Sequence, residues 1–348
     1  MRFFERVINL HVHSIASDGT GTPVSLATAA AKAGVDVVLV ADHNVFQPEI
    51  EGWYGSVLLL SGQEVNAPDR ENENHLLVFG AAGPVSFTQE TLQSTLEVIR
   101  ETGGLAFLAH PFERSGRYSG EPEIPWTRWD VHDFHGLEIW NYMSEFKAHV
   151  TTLGRTLLFA LMPKLAIRGP FAETLLKWDE LIAKGRVYVI GGSDAHAQRY
   201  HLGPLQRTIF SYEHLFAGVN THLLLDAPWS GKVSIDSQTV YRALGAGRGF
   251  VAYDALAPAR GFRFLAEDAS GIHLMGSTIR LRGTVEFYVY LPAKADLRLL
   301  LNGFPVRRLR GKTLRFKADM PGVYRVEAFR AYAGRARCWI LSNPIWIE

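Results

Sequence analysis

The sequence predicts an α/β unit on a largely parallel sheet, followed by a smaller antiparallel β domain. Short β-branched or leucine-rich runs alternate with amphipathic stretches through the first 255 residues, the texture of β/α units. Beyond residue 260 the pattern becomes alternating strands with turn dipeptides between them. Charge divides at the same place: residues 260–348 carry 16 Lys/Arg against 7 Asp/Glu, and residues 1–259 carry 20 against 28, so the net charge of +1 is a cancellation. The short residues and proline of Ala255-Leu256-Ala257-Pro258-Ala259 read as a linker, giving an expected α/β domain over 1–255 and an antiparallel β domain over 260–348.

Seven apolar runs are the expected strands: Val7–Leu10, Val35–Ala41, Val57–Leu60, His75–Phe79, Leu105–Ala109, Leu137–Trp140 and Val187–Ile190. Pro23 opens a helix that stops at Gly34, and Thr88 opens another that carries Leu92, Leu96 and Ile99 to Gly103. Leu175 to Lys184 is a third, ended by Gly185. In the second domain Thr284–Leu291, Leu297–Leu301 and Val323–Phe329 alternate as strands, with Asn302-Gly303 and Pro321-Gly322 as turns, the pattern of a small sandwich.

Composition narrows the chemistry. With 47% apolar and 20% charged residues the chain is globular, and its single cysteine, Cys338, excludes a disulfide framework and a cysteine-based zinc finger. Thirteen histidines are the unusual feature, so any transition-metal chemistry must run on His, Asp and Glu. The first thirteen residues lack a signal-peptide apolar core, and no run is long enough to span a bilayer. A cytoplasmic protein with no membrane partner is therefore expected.

The metal-capable residues fall at strand ends. His11 and His13, two apart on one strand, share a face and can chelate one ion. Strand two ends in Asp42-His43-Asn44, strand three runs into Gly62-Gln63-Glu64, strand five ends in His110-Pro111, strand six carries Glu138, and strand seven runs into Ser193-Asp194-Ala195-His196. Parallel α/β folds bind ligands at the carboxyl edge of their strands. His75 precedes its run, so it reaches that edge only from an antiparallel strand or a crossing loop.

In His11-Val-His13-Ser14, Ser17-Asp18-Gly19, Ala41-Asp42-His43-Asn44, Gly62-Gln63-Glu64, Ala109-His110-Pro111 and Gly192-Ser193-Asp194-Ala195-His196 the sequence resembles the polymerase and histidinol phosphatase (PHP) superfamily of metal-dependent phosphoesterases. The resemblance implies a distorted (β/α)7 TIM-like barrel holding two or three divalent ions of Mn, Fe or Zn. It further implies that His11, His13, Glu64 and Asp194 hold the first ion, that Glu64 bridges to a second with His75 and His110, and that Asp18, His43 and His196 hold a third. Where many members have His this chain has Asp18, a harder carboxylate ligand that implies weaker zinc preference there or a partly occupied third site. Asp194-Ala-His196, the run Leu202 to Arg207, and the endings Gly322-Val-Tyr-Arg325 and Leu341-Ser-Asn-Pro-Ile345 look like the subgroup related to carbaryl hydrolases (CehA/McbA).

Such a site is expected to hydrolyse a small phosphorylated molecule by attack of a metal-bridging hydroxide, with His196 or Asp194 managing the proton. Arg114 and Arg199 are candidate phosphate contacts, since a guanidinium matches two phosphate oxygens, and Asn44 and Asn141 are weaker polar candidates. The aromatics between Trp126 and Tyr142 could wall a pocket or pack a core. The basic second domain, Arg307, Arg308 and Arg310 included, lacks the interleaved aromatics of a single-strand platform, so nucleic acid is not the expected partner. The same metals would hydrolyse a carbamate or ester, and a non-catalytic metal-binding scaffold is the third reading.

Overall fold

The computed structural model describes residues 3–67, 70–87, 91–202, 205–208 and 210–348, apart from the side chains of 199–202 and 205–207. Twelve strands run through the first 253 residues. They are β1 Phe4–Val12, β2 Val37–Val40, β3 Gly52–Tyr54, β4 Val57–Val65, β5 Leu76–Phe79, β6 Leu105–Leu108, β7 Gly136–Asn141, β8 Tyr188–Gly192, β9 Arg199–Leu202, β10 Leu205–Thr208, β11 Val219–Leu225 and β12 Gly249–Tyr253. Among them lie helices α1 Pro23–Ala33, α2 Leu92–Glu101, α3 Tyr142–His149, α4 Leu153–Leu161, α5 Ala172–Ile182, α6 Tyr212–Phe216 and α7 Val233–Gly245.

All seven predicted strand runs are strands. Their apolar residues are buried on both faces, one set packing with Ile8, Leu10, Leu39, Leu58 and Phe107 and the other with Val38, Val40, Leu59 and Leu108. That explains why they read as unbroken apolar runs rather than as alternation. Helix α1 begins at Pro23, with Thr22 accepting from the Ser25 amide, and ends at Gly34 in the left-handed region, as its sequence specifies. Helix α2 starts later than expected because Thr91 caps it, accepting from the Ser94 amide; Thr88 lies outside the described residues. Helix α5 starts at Ala172, three residues before the expected Leu175.

Pairing corrects the expectation of a parallel barrel in two places. Strand β5 is antiparallel to both β4 and β6, and β11 is antiparallel to β1. The order runs β8-β7-β6-β5-β4-β2-β1-β11-β12, and among the described residues no ladder returns from β8 to β1. A single bridge, Val12 with Ala195, ties the segment after β8 to the end of β1, and among the described residues the sheet is not closed.

The remaining strands are β13 Arg263–Asp268, β14 Gly271–Leu274, β15 Thr278–Ile279, β16 Val285–Leu301, β17 Phe304–Ala318, β18 Gly322–Tyr332, β19 Arg335–Ser342 and β20 Ile345–Ile347. The two expected strands before Asn302 are one: β16 runs through, with an irregularity between Tyr290 and Ala295 that the sequence shows as Pro292. Asn302 and Gly303 turn it back onto β17 with φ of 51° and 82°, the pair of positive angles a two-residue hairpin needs. Strand β12 pairs antiparallel with β19 through Phe250–Ser342, Val251–Leu341 and Ala252–Ile340. Leu224, Phe250 and Ala252 accordingly share a core with Phe287, Tyr324 and Trp339.

Buried charge fastens the same junction. His222 on β11 lies 2.9 Å from Glu5 Oε1 and 3.0 Å from Asp254 Oδ2. Burial opposes its charging, but Asp254 and Glu5 outweigh burial and raise its pKa to about 9. Burial likewise opposes ionisation of Glu5, yet His222 and Arg263 bring its pKa down to about 2. The His222 contribution is thus complete below pH 6.5 and fades as pH rises through 9, whereas that of Glu5 is complete above 4.5 and fades as pH falls through 2. We expect His222→Gln to cost about 3 kcal/mol near pH 6. In denaturant melts across pH the gap to wild type should narrow above pH 9, and a pH-independent gap would contradict the charged pair.

Candidate metal centre

Each predicted metal residue sits at one edge of the strands. His11 and His13 end β1, His43 follows β2, Glu64 lies near the end of β4, His110 follows β6, and Asp194 and His196 follow β8. Because β5 runs the other way, His75 at its start meets the ends of its neighbours. Reaching this arrangement bends the chain: Asn44, His110 and Asp194 have φ of 54°, 27° and 56°, positions where a side chain crowds its own backbone. Two glycines make room. A Cβ on Gly19 would stand 2.2 Å from the His13 carbonyl oxygen, and one on Gly192 would stand 2.9 Å from the His11 Cβ.

Glu64 is the hub. Its Oε2 lies 3.2 Å from His11 Nε2, 3.2 Å from His13 Nε2 and 3.4 Å from His43 Nδ1. Its Oε1 lies 2.8 Å from His75 Nδ1 and 3.1 Å from His110 Nε2. Asp194 Oδ1 stands 3.4 Å from both His11 and His13 Nε2, and Asp18 Oδ2 is 3.2 Å from His196 Nε2 and 3.9 Å from His43 Nε2. The ligand atoms fall into five groups, within each of which they lie 4.8 Å or less apart: His13-Asp18-His43-His196, His11-Glu64-His110, His11-His13-Asp194, His43-Glu64-His75 and His110-Glu113-Asp194. All nine sequence-predicted ligand residues are in these groups.

The donor set fits divalent ions. His13 is buried, yet neither ring nitrogen has a hydrogen-bond partner. A buried polar atom left so is costly unless something else satisfies it, and Nε2 faces Glu64 and Asp194 across the gap an ion would fill. Imidazole and carboxylate together suit Mn, Fe or Zn.

The electrostatics agree. Burial disfavours a charged His13, but the Asp194 and Glu64 carboxylates beside it raise its pKa to about 9. For His110, burial is outweighed by Glu113 and Glu64, again to about 9, and His11 is raised well above the ordinary range by Asp194, Glu138 and Glu64. Burial would push the Glu64 carboxyl up, but His11, His75 and His43 hold it well below its usual value. Asp194 is lowered too, by His11 and His13 against burial. The carboxylates therefore favour protons on His11, His13 and His110, which incoming cations would displace, whereas burial lowers the pKa of the half-buried His43.

Sequence reasoning left Glu138 and Asp42 without a role. Glu138, buried on β7, places Oε1 3.1 Å from His11 Nδ1 and accepts at Oε2 from the His110 amide (3.0 Å) and Asn141 Nδ2 (3.0 Å). It therefore fixes which His11 nitrogen faces Glu64. Asp42 is in none of the five groups; it accepts from the Ser14 amide (2.7 Å), Ser17 Oγ (2.5 Å) and Gln47 Nε2 (2.6 Å), shaping the loop that carries Asp18. Tyr212, 16 residues or more from any ligand in sequence, joins that loop to His196: its hydroxyl accepts from the Thr20 and Gly21 amides and lies 2.8 Å from the His13 and 2.9 Å from the His196 carbonyl oxygens.

Of the two expected arginines, one can be placed, and it does not face the cluster. Arg114 is exposed and pairs with Glu173 Oε1 at 2.6 Å, and the Arg199 side chain lies outside the described residues. Asn141 lies within the site, 3.3 Å from Asp194 Oδ2, while Asn44 bonds Asn66 at 2.7 Å. Of the aromatics between 126 and 142, Trp126, Trp140 and Tyr142 are core residues. A cavity of about 200 Å³ opens over the cluster, walled by Pro122, Ile124, Met143, Phe210 and Leu215 and carrying Glu113, Glu121 and Lys147 among its polar groups.

No protein-family model and no curated protein matches the chain. Among solved structures it is similar to a two-domain protein from Bacteroides vulgatus described as containing a predicted PHP-like metal-dependent phosphoesterase. That match has 16% identity and a TM-score of 0.46 over 98% of this chain and 95% of that one. It is also similar to a proposed metal-dependent phosphoesterase from Bifidobacterium adolescentis, at 16% identity and a TM-score of 0.34 over 57% of this chain and 91% of that one. An amidohydrolase from Chromobacterium violaceum with bound sulfate and no metal matches at 16% identity and a TM-score of 0.31, over 57% and 92%.

Glu138→Gln keeps the shape and removes the charge that orients His11. It should weaken binding of the tightest ion about 10–100-fold while the far-ultraviolet spectrum is unchanged. Competition against a chelator of known affinity reads this directly, and unchanged affinity would remove Glu138 from the site.

Proposed function

We propose that this chain is a metal-dependent hydrolase of small phosphate esters. One observation carries the reading: five histidines from the ends of four strands converge on Glu64, which lines a cavity of about 200 Å³. His11, His13, Glu64, His75, His110, Asp18, His43, Asp194 and His196 would hold two or three divalent ions. On this reading residues 1–255 are an open, distorted relative of the PHP barrel and residues 260–348 an appended β domain.

Divalent ions bound at such a cluster acidify water towards neutral pH and offset charge on the phosphoryl oxygens. The protein's own residues position and move protons. His196 lies at the rim, its Nε2 3.2 Å from Asp18 Oδ2 and its Nδ1 3.0 Å from the Asp194 carbonyl oxygen; with two ions bound and no third at Asp18, His43 and His196, its Nε2 is free to carry a proton. In hydrolysis the water oxygen bonds to phosphorus, the bond from phosphorus to the ester oxygen breaks, and the water's proton reaches the departing oxygen by way of His196. Asp194, held by Asn141, keeps His11 and His13 oriented.

A second reading, hydrolysis of a carbamate or carboxylic ester, is favoured by the apolar wall and by the pairing of Arg114 with Glu173 away from the site. Protein purified without chelators and reloaded with Mn, Fe or Zn should hydrolyse members of a panel of phosphomonoesters and phosphodiesters. Asp194→Asn should lower kcat roughly 10²–10⁴-fold. Turnover confined to aryl carbamates would transfer the site to the second reading; fewer than one recoverable ion per chain would make it a scaffold.

A further inference from the structure

Lys147, on α3, is a buried lysine in the wall of this cavity, its side chain 7% exposed. An ammonium taken out of water is costly unless each donor is used. Two are: Nζ donates to Glu113 Oε1 at 2.6 Å and to the Pro122 carbonyl oxygen at 2.9 Å. The group has three donors, and the next oxygen, Glu121 Oε2, is 3.7 Å away, beyond hydrogen-bond reach. Among the described residues Lys147 is the only Lys or Arg lining the cavity.

Glu113 sets where that ammonium stands. It is buried, accepts from the Ile124 amide at 3.1 Å and from Ser144 Oγ, and carries an oxygen within 4.8 Å of ligand atoms on His110 and Asp194. Lys147 is therefore one carboxylate removed from the metal cluster. Securing the loop before α3 does not require the ammonium, because the Gly116 amide donates to the Lys147 carbonyl oxygen (3.0 Å) and the Tyr118 amide to that of Val150 (3.0 Å). The same cavity is lined by Ile124, Met143, Phe210 and Leu215, apolar surface with room for a compact group.

We propose, resting on the phosphoesterase reading, that Lys147 is the substrate-binding cation of this site, its third donor taking a phosphoryl oxygen of a small phosphate ester whose alcohol is apolar and packs on that wall. The sequence offered Arg114 and Arg199 for this role; Lys147 is a third candidate that no motif marks.

The test compares Lys147→Met, Lys147→Arg and, as a surface control, Lys164→Met, all metal-loaded. Inorganic phosphate binding by calorimetry, metal content by elemental analysis, and kcat/KM on alkyl and aryl phosphates are measured on each. Lys147→Met should keep its metal, bind phosphate about 10–100-fold more weakly and lose kcat/KM to a similar degree, the effect expected for a hydrogen bond to a charged group. Lys147→Arg should recover most of both, and Lys164→Met should match wild type. If Lys147→Met does not fold, Lys147→Gln, neutral but able to bond Pro122, takes its place with the same expected losses. Phosphate binding within twofold of wild type, or a loss explained by lost metal, overturns the proposal. A wild type that hydrolyses no phosphate ester overturns the functional reading instead, while phosphate binding still reports on Lys147.

Discussion

A single carboxylate taken out of water organises this molecule. Glu64 is about 1% exposed and faces five imidazoles. An isolated ionised carboxylate at that depth would cost several kcal/mol, and five uncompensated imidazolium groups would repel one another. The arrangement is consistent only when positive charge is shared among them, by protons or by ions. Around that requirement the rest follows: strands from separate parts of the chain end at one edge, three residues there accept left-handed backbone, and Glu138, Asn141 and Asp42 spend their hydrogen bonds on holding ligands or ligand-bearing loops in place.

The two charge populations along the chain meet in space rather than lying apart. Arg325 on β18 is buried and donates from Nε and Nη2 to both oxygens of Asp179 on α5, at 2.9 Å each, while its Nη1 meets Glu327 at 2.7 Å. Arg263 reaches Glu5 at 2.7 Å, and Arg260 reaches Asp36 at 2.7 Å. The basic excess of residues 260–348 thus serves in part as the counter-charge of the acidic N-terminal region. That is a structural use of arginine, where the bare charge count suggests a polyanion surface.

What could be read in advance depended on whether a signal is local. His11-Val-His13 declares its geometry by strand periodicity, and Pro23 and Gly34 bound a helix, because each rests on neighbouring residues. The direction of β5 was legible only in part: because His75 precedes its run, an antiparallel strand or a crossing loop had to bring it to the common edge, and the pairing decides for the strand. Arg114 failed because four residues from a ligand says nothing of direction: Glu173, 59 positions on, captures the guanidinium. Lys147 and Tyr212 were missed for the converse reason, lying on helices with no pattern that distinguishes them from packing residues. The pairing of β12 with β19 was hidden because hydrogen bonding between strands 90 residues apart leaves no trace in composition.

The place of β1 carries a consequence for how the protein comes to exist. This strand bears the first two histidines, and its early partner, β2, is 29 residues away at Ile8–Val37. Its other edge is covered only by β11, at Ile8–Thr221, and its end is met by Ala195. During synthesis His11, His13, His43 and Glu64 are therefore available while one side of their strand is bare. Contacts of such long sequence separation form slowly, and an uncovered edge invites pairing with another chain. A nascent chain that captures an ion with this first half of the ligands would hold β1 and β4 in register before the later strands arrive, making the metal a folding template as well as a reagent.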